Sequence, residues 1–530
     1  MSKKVIVIGW DGATKQVVDE GITKGYLPAL KKLIQSGSYL DLVSTLPPAT
    51  IPAWTSCFTG VNPGKHGYFD FAHMVKGTYS LRFTNSTFRK FPAIWNWLTK
   101  HDRRSIVIGV PGTYPPEKID GIMVSGFDSP LSGKMTPNRV YPEEYFKLVK
   151  NWSYGDINES KKGSHWYDNT EKKLLERLDK KEEIVLQLLE SEDWDLFITV
   201  FNESDTVSHH YWMFWDKSSP RYVESKYNEV IPLIYKKLDN ILTNIIKKTE
   251  KKDALLMVVS DHGFQPADKV AIHINNWLSQ KGYLRYSQTT NISVKLREIL
   301  LGSLSPAQIS KFFYIFKDFA EKLESKIRFS GIDWNRTVAY SEELDYFPSV
   351  RINLKGREPM GIVPEEDYYE FAHHLCKELT AIPYIKNAYF REEIYSGPYS
   401  DIAPDIILEL TGEGNSRASF TRARGGDVVE EISPDNFYGT RGKGLNGQHQ
   451  QKGILCISEK INAIEASIMD IAPTIASVLE IPAPPLDGKP LIGTITIDND
   501  YQNLIREEEE LSPYEEWLLI QQMKELGYWQ

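Results

Sequence analysis

The stretch Val5-Ile6-Val7-Ile8-Gly9-Trp10-Asp11-Gly12 decides the fold. Four β-branched residues in a row, closed by a glycine, read as a strand covered on both faces, as in a parallel sheet. Lys3 and Lys4 in front give it the outline of a signal peptide. The apolar run is too short for an export segment, and Asp11 stands where a small-residue cleavage site would be needed. Further runs of the same kind follow at Ile106–Val110, Leu196–Phe201, Leu255–Val259, Ile406–Leu410 and Ile454–Ile457. Helical patterns lie between them. The clearest places Ile231, Ile234, Leu238, Ile241 and Ile245 on one apolar stripe that leads into Leu255–Val259. This alternation predicts an α/β fold with a mostly parallel, doubly wound central sheet flanked by helices.

Two stretches break the rhythm. Residues 150–190 are polar and then helical, with Leu174, Leu175, Leu178, Ile184, Val185 and Leu188 as apolar positions. Residues 275–399 are less regular and hold an aromatic helical pattern through Phe312, Phe316, Phe319 and Leu323. The expected organisation is a catalytic core from 1–274 and 400–500, an inserted substrate-selecting cap at 275–399, and a helical tail at 501–530. The tail carries a helix start at Ser512-Pro513-Tyr514-Glu515, with Ser at the N-cap, Pro at N1 and Glu at N3.

Composition narrows the class. The 530 residues include 62 Lys+Arg against 71 Asp+Glu, a net charge of −9, and 41% are apolar. That is too apolar for a disordered chain and too acidic for stable nucleic-acid binding by phosphate neutralisation. Three cysteines, Cys57, Cys376 and Cys456, make no disulfide framework. No run approaches the ~18 apolar residues of a membrane span. The expectation is a cytoplasmic protein.

The chemistry lies where acids and histidines meet the predicted strand ends. Asp11 follows the first strand. Asp205 and His209 follow Leu196–Phe201, Asp261 and His262 follow Leu255–Val259, and His449 precedes Ile454–Ile457. Open α/β sheets bind ligands outside the carboxyl ends of their strands. Carboxylate oxygen and imidazole nitrogen are the usual ligands of Zn²⁺ and of harder ions such as Mn²⁺, and six such groups suffice for two ions. His210, beside His209, is an alternative ligand. Thr50 reads as the N-cap of a helix with Pro52 in its first turn and Gly60 at its end. A hydroxyl there faces free backbone N–H groups and the positive end of the helix dipole.

Gly9-Trp10-Asp11-Gly12, Ala49-Thr50-Ile51-Pro52-Ala53-Trp54-Thr55, Asn62-Pro63-Gly64-Lys65-His66-Gly67, Asp205 through His209, Ser260-Asp261-His262-Gly263, Gly447-Gln448-His449 and Met469-Asp470-Ile471-Ala472-Pro473-Thr474 together resemble the alkaline phosphatase superfamily. Within it, the chain resembles the type I phosphodiesterase/nucleotide pyrophosphatase family. The resemblance implies an alkaline-phosphatase-like core and two divalent metal ions, Zn²⁺ first, with Mn²⁺ or iron as alternatives. One ion would be held by Asp11, Thr50, Asp261 and His262, the other by Asp205, His209 and His449. It implies a hydrolase that cleaves phosphodiester or pyrophosphate bonds of a small phosphorylated substrate, such as a nucleotide, through a phospho-threonine at Thr50. The family's phosphate-contacting Asn has no counterpart on the helix after Thr50. The Ile51 backbone N–H, Lys65, His66 and His210 stand as candidates for that contact. Rival readings are a phosphomonoesterase, phosphonate hydrolase or phosphotransferase of the same superfamily, and a non-catalytic scaffold. A sulfatase fits less well, because its nucleophile position needs Cys or Ser.

Overall fold

The computed structural model describes residues 3–126, 135–152, 157, 165–287, 329, 331–343, 347–439, 443–509, 511 and 515. The aromatic pattern at Phe312–Leu323 lies outside the described residues, and of the tail helix after Ser512 only Glu515 is among them.

The quoted stretch forms the strand Lys4–Trp10 near the middle of a nine-stranded sheet. Leu196–Phe201 pairs with it on one side and Ala254–Val259 on the other, both parallel. The register aligns Trp10 with Phe201 and Gly9 with Val259, so all three strands end at one level. The sheet is mostly parallel, with antiparallel pairings where Lys452–Ile457 joins Ala254–Val259 and Ser38–Val43, and at the edge strand Val140–Tyr141. Buried side chains cover both faces. Ile6 and Ile8 point into one layer, and Val5 and Val7 into the other. The first layer includes the helix Val230–Thr249, whose stripe from Ile231 to Ile245 is buried as expected. The second includes the helices Thr50–Thr59 and Ile471–Val478.

A second sheet branches from the first at the site. The long strand Gly263–Ile272 begins two residues after Asp261 and carries Arg417–Phe420, Val429–Glu431 and Gly447–Gln450 as partners. A third sheet corrects one expectation. Ile406–Leu410 does not join the central sheet but lies between Ser349–Ile352 and Ile385–Phe390, antiparallel to both. Its run of buried residues fits either sheet, because the helix Tyr368–Thr380 packs there. Among the described residues, no helix is long and apolar enough to cross a membrane.

Candidate active site

Because the three central strands stop at one level, their next residues meet. Asp11 leaves the first strand through Gly12, whose φ is +64°. A Cβ on Gly12 would stand 2.3 Å from Phe264 Cε2, so the turn admits no side chain. The Gly12 N–H donates to Asp261 Oδ1 at 3.0 Å, and Ser204 Oγ donates to the Asp11 carbonyl at 2.7 Å. Trp54 Nε1 donates to Asp11 Oδ2 at 3.1 Å. These contacts tie the ends of all three strands and the Thr50–Thr59 helix to one another.

Asp205 and His209 sit in the helix Glu203–Trp215, one turn apart on one face. His209 Nε2 is 3.3 Å from Asp205 Oδ1 and 3.0 Å from His449 Nε2. His449 Nε2 is also 3.3 Å from Asp205 Oδ1. His262 stacks on the His449 ring at 3.6 Å, with its Nε2 3.2 Å from Asp261 Oδ2 and 3.8 Å from Asp11 Oδ1. Donor atoms of Asp11, Asp261 and His262 lie within 4.8 Å of one another, as do those of Asp205, His262 and His449. His262 thus stands between the two groups, while His209 closes the second through its contacts with Asp205 and His449.

The three imidazoles are oriented alike. His209 Nδ1 faces the Gly447 carbonyl at 2.9 Å, His449 Nδ1 the Pro48 carbonyl at 2.9 Å, and His262 Nδ1 the Gly263 carbonyl at 3.2 Å. A carbonyl only accepts, so each Nδ1 carries the proton and each Nε2 turns a lone pair inward. Three carboxylate oxygens, Asp11 Oδ1, Asp205 Oδ1 and Asp261 Oδ2, are buried and receive no hydrogen bond. Lone pairs converging in a dry site repel one another unless a cation lies among them. The donor set therefore fits divalent metal ions.

Charge states carry the same message. Burial, and then the charges of Asp261 and Asp205, hold the Asp11 carboxyl well above its ordinary range. Asp261 is raised as well, by burial first and against the Gly12 N–H. Burial drives His262 well down and His449 to about 4, so both rings stay neutral.

Thr50 is the first residue of its helix rather than the N-cap, which is Ala49. Pro52 takes the third helical position and Ala53 N–H bonds the Ala49 carbonyl at 2.9 Å, leaving the Thr50 and Ile51 N–H groups without acceptors inside the helix. Thr50 Oγ1 lies 3.4 Å from His262 Nε2 and is buried. Gly60 ends the helix at φ +69°, as expected.

The other candidates face elsewhere. The Ile51 side chain belongs to the core, and only its backbone faces the helix start. Lys65 pairs with Asp487. His66 is wholly buried, with Nδ1 accepting from the Tyr68 N–H at 3.1 Å and Nε2 on Ser56 Oγ at 2.9 Å. His210 packs its ring edge-on against Trp166, 4.9 Å away. Trp54 and Phe264 were not singled out in the sequence. Phe264 packs against His209 and His449 at 4.8 and 5.2 Å. Its place directly after Asp261-His262-Gly263 was the available signal.

The family described as "Type I phosphodiesterase / nucleotide pyrophosphatase" matches residues 5–431. No curated protein matches the sequence. Similar solved structures include phosphonoacetate hydrolase from Sinorhizobium meliloti in complex with phosphonoformate, 15% identical, with a TM-score of 0.53 over 90% of this chain and 95% of that one. Another is murine ectonucleotide pyrophosphatase/phosphodiesterase 5, an inactive form in complex with AMP, 12% identical, with a TM-score of 0.50 over 92% and 98%. At these identities the likeness shows a shared alkaline-phosphatase-like fold.

Proposed function

The chain belongs to the type I phosphodiesterase/nucleotide pyrophosphatase family and is a hydrolase of phosphoric esters, and from that premise we propose that it cleaves phosphodiester or pyrophosphate bonds by covalent catalysis at Thr50 beside a two-metal site. One observation carries the reading. Three inward imidazole lone pairs and three orphaned carboxylate oxygens converge beside a hydroxyl at a helix N-terminus. Asp11, Asp261, His262 and Thr50 would hold one ion, and Asp205, His209 and His449 the other. Bound there, divalent ions would favour the Thr50 alkoxide and neutralise charge on the phosphoryl oxygens.

The chain's own groups do the rest. Thr50 Oγ1 gives its proton to water and forms a bond to phosphorus as the P–O bond to the leaving group breaks, the leaving oxygen departing with that bond's electron pair. Water then hydrolyses the threonine ester and restores the hydroxyl. The Thr50 and Ile51 N–H groups meet the phosphoryl oxygens at the helix start, the place left by the family's Asn. Trp54 and the Gly12 N–H hold Asp11 and Asp261 with their free oxygens inward. A small phosphorylated substrate fits this reading, as do the phosphonoformate and AMP held by the similar proteins.

Elemental analysis after reconstitution, with assays on a diester and a monoester of the same phenol, tests it. The reading predicts two divalent ions per chain and faster diester turnover, abolished by a chelator. One ion or none sinks the two-metal site, and faster monoester turnover sinks the diesterase assignment.

A further inference from the structure

Arg417 is the buried cation that this mechanism leaves unused. It is 4% exposed, in the strand Arg417–Phe420 beside Gly263–Ile272. Its Nη1 donates to the His449 carbonyl at 2.9 Å, and its guanidinium lies 4.1 Å from the Phe347 ring centre. Its Nη2 is buried and donates to nothing among the described residues. No carboxylate there lies within ion-pair distance. Glu409, whose charge acts on it, is itself engaged by Lys386 at 2.8 Å.

Three other buried arginines have a carboxylate or several carbonyls as partners, although Arg391 Nε, like Arg417 Nη2, meets no acceptor among the described residues. Arg89 meets Glu117 at 2.9 Å, and Arg391 meets Asp405 at 3.2 Å. Arg221 donates to the carbonyls of Asp268, Lys443 and Leu445 at 2.7 Å and to Ser419 at 3.2 Å. A buried guanidinium with an idle N–H is costly unless an anion meets it. Aromatic stacking on Phe347 offsets part of that cost and fixes the plane of the fork.

Position says which anion. Nε2 of His449 faces the metal ligands and Nδ1 is taken by Pro48, so Arg417 reaches the main-chain end of that residue. It therefore stands a histidine side chain away from the cluster that Asp205, His209 and His449 form.

We propose that Arg417 binds a second oxyanion of the substrate, one separate from the phosphoryl group transferred to Thr50. The proposal rests on the hydrolase reading of that site. It narrows the substrate class to phosphoryl compounds bearing a further phosphate or carboxylate.

Calorimetric titration of the metal-loaded protein with inorganic pyrophosphate, a phosphonocarboxylate and orthophosphate tests it. In the intact protein, tighter binding of pyrophosphate points to a second phosphoryl group, and tighter binding of the phosphonocarboxylate to a carboxylate. Arg417→Met, compared at equal metal content, should weaken the preferred dianion about 10- to 100-fold more than orthophosphate. In turnover at equal metal content, the same variant should raise KM for a pyrophosphate-bonded substrate more than KM for a simple diester. Arg417→Lys, which keeps the charge without the fork, should fall between the two and carries the test if the Met variant does not fold. Equal weakening of all three ligands, or none, overturns the proposal. Failure of the parent protein to turn over any diester would count against the hydrolase reading, while the titrations would still report on Arg417.

Discussion

At Gly12 a single hydrogen atom decides the geometry of the site. The left-handed turn and the 2.3 Å approach of Phe264 exclude a methyl group, and the same residue's N–H positions Asp261. Phe264 in turn supports the rings of His209 and His449. Gly12→Ala should lower stability by about 1–3 kcal/mol through backbone strain. It should also weaken metal binding by about 10- to 100-fold through displaced supporting contacts. Thermal unfolding and a competitive chelator titration measure the two. A variant that matches the parent in both would show that the turn is slack. At this scale the meeting of the acids was legible in the sequence, because Asp11, Asp205 and Asp261 each follow a strand. Their supports were not. Backbone carbonyls at Pro48 and Gly447, and the idle Nη2 of Arg417, exist only once distant segments meet.

The elements divide by how local their signals are. The helix Val230–Thr249 and the three central strands follow from short-range pattern alone. Ile406–Leu410 was recognisable as a strand but not as a member of the third sheet, since an apolar run does not say which neighbours cover it. Thr50 was placed one position early, at the N-cap, because its hydroxyl suits that position; Ala49 holds it, and the hydroxyl faces His262 Nε2 instead. His66 belongs to this scale too. It braces the Thr50–Thr59 helix through Ser56 against the Tyr68 backbone. Its Nδ1 must stay unprotonated to accept that N–H. Burial, aided by Arg89, holds its pKa down at about 3. A histidine whose folded value is depressed adds stability above the unfolded value near 6.5, and this is lost as pH falls toward 3. The metal-free protein should therefore lose thermal stability as pH falls below about 6.5, and His66→Gln should lose less over the same span. Parallel curves for the two proteins would remove His66 from the account.

For the molecule as a whole, charge sets the terms of catalysis. The chain carries −9, and its site adds Asp11, Asp205 and Asp261 in a buried cluster. The raised carboxyls of Asp11 and Asp261 show that the bare site resists even its own negative charge. On the proposed reading, cations held there would invert the local field for a phosphate ester. The parallel sheet makes such crowding tolerable, because its strands hold the three acids from separate parts of the chain at one level. All of this serves one hydroxyl, and the most direct test follows the phosphorus atom to it. The metal-loaded protein is mixed with a phosphodiester, quenched in acid within the first turnover, digested and read by peptide mass spectrometry. The account predicts that the transferred phosphoryl half of the substrate is esterified to Thr50, and that Thr50→Ala, with its metal content intact, shows neither the adduct nor turnover. Full turnover by Thr50→Ala, or an adduct on another residue, would contradict it.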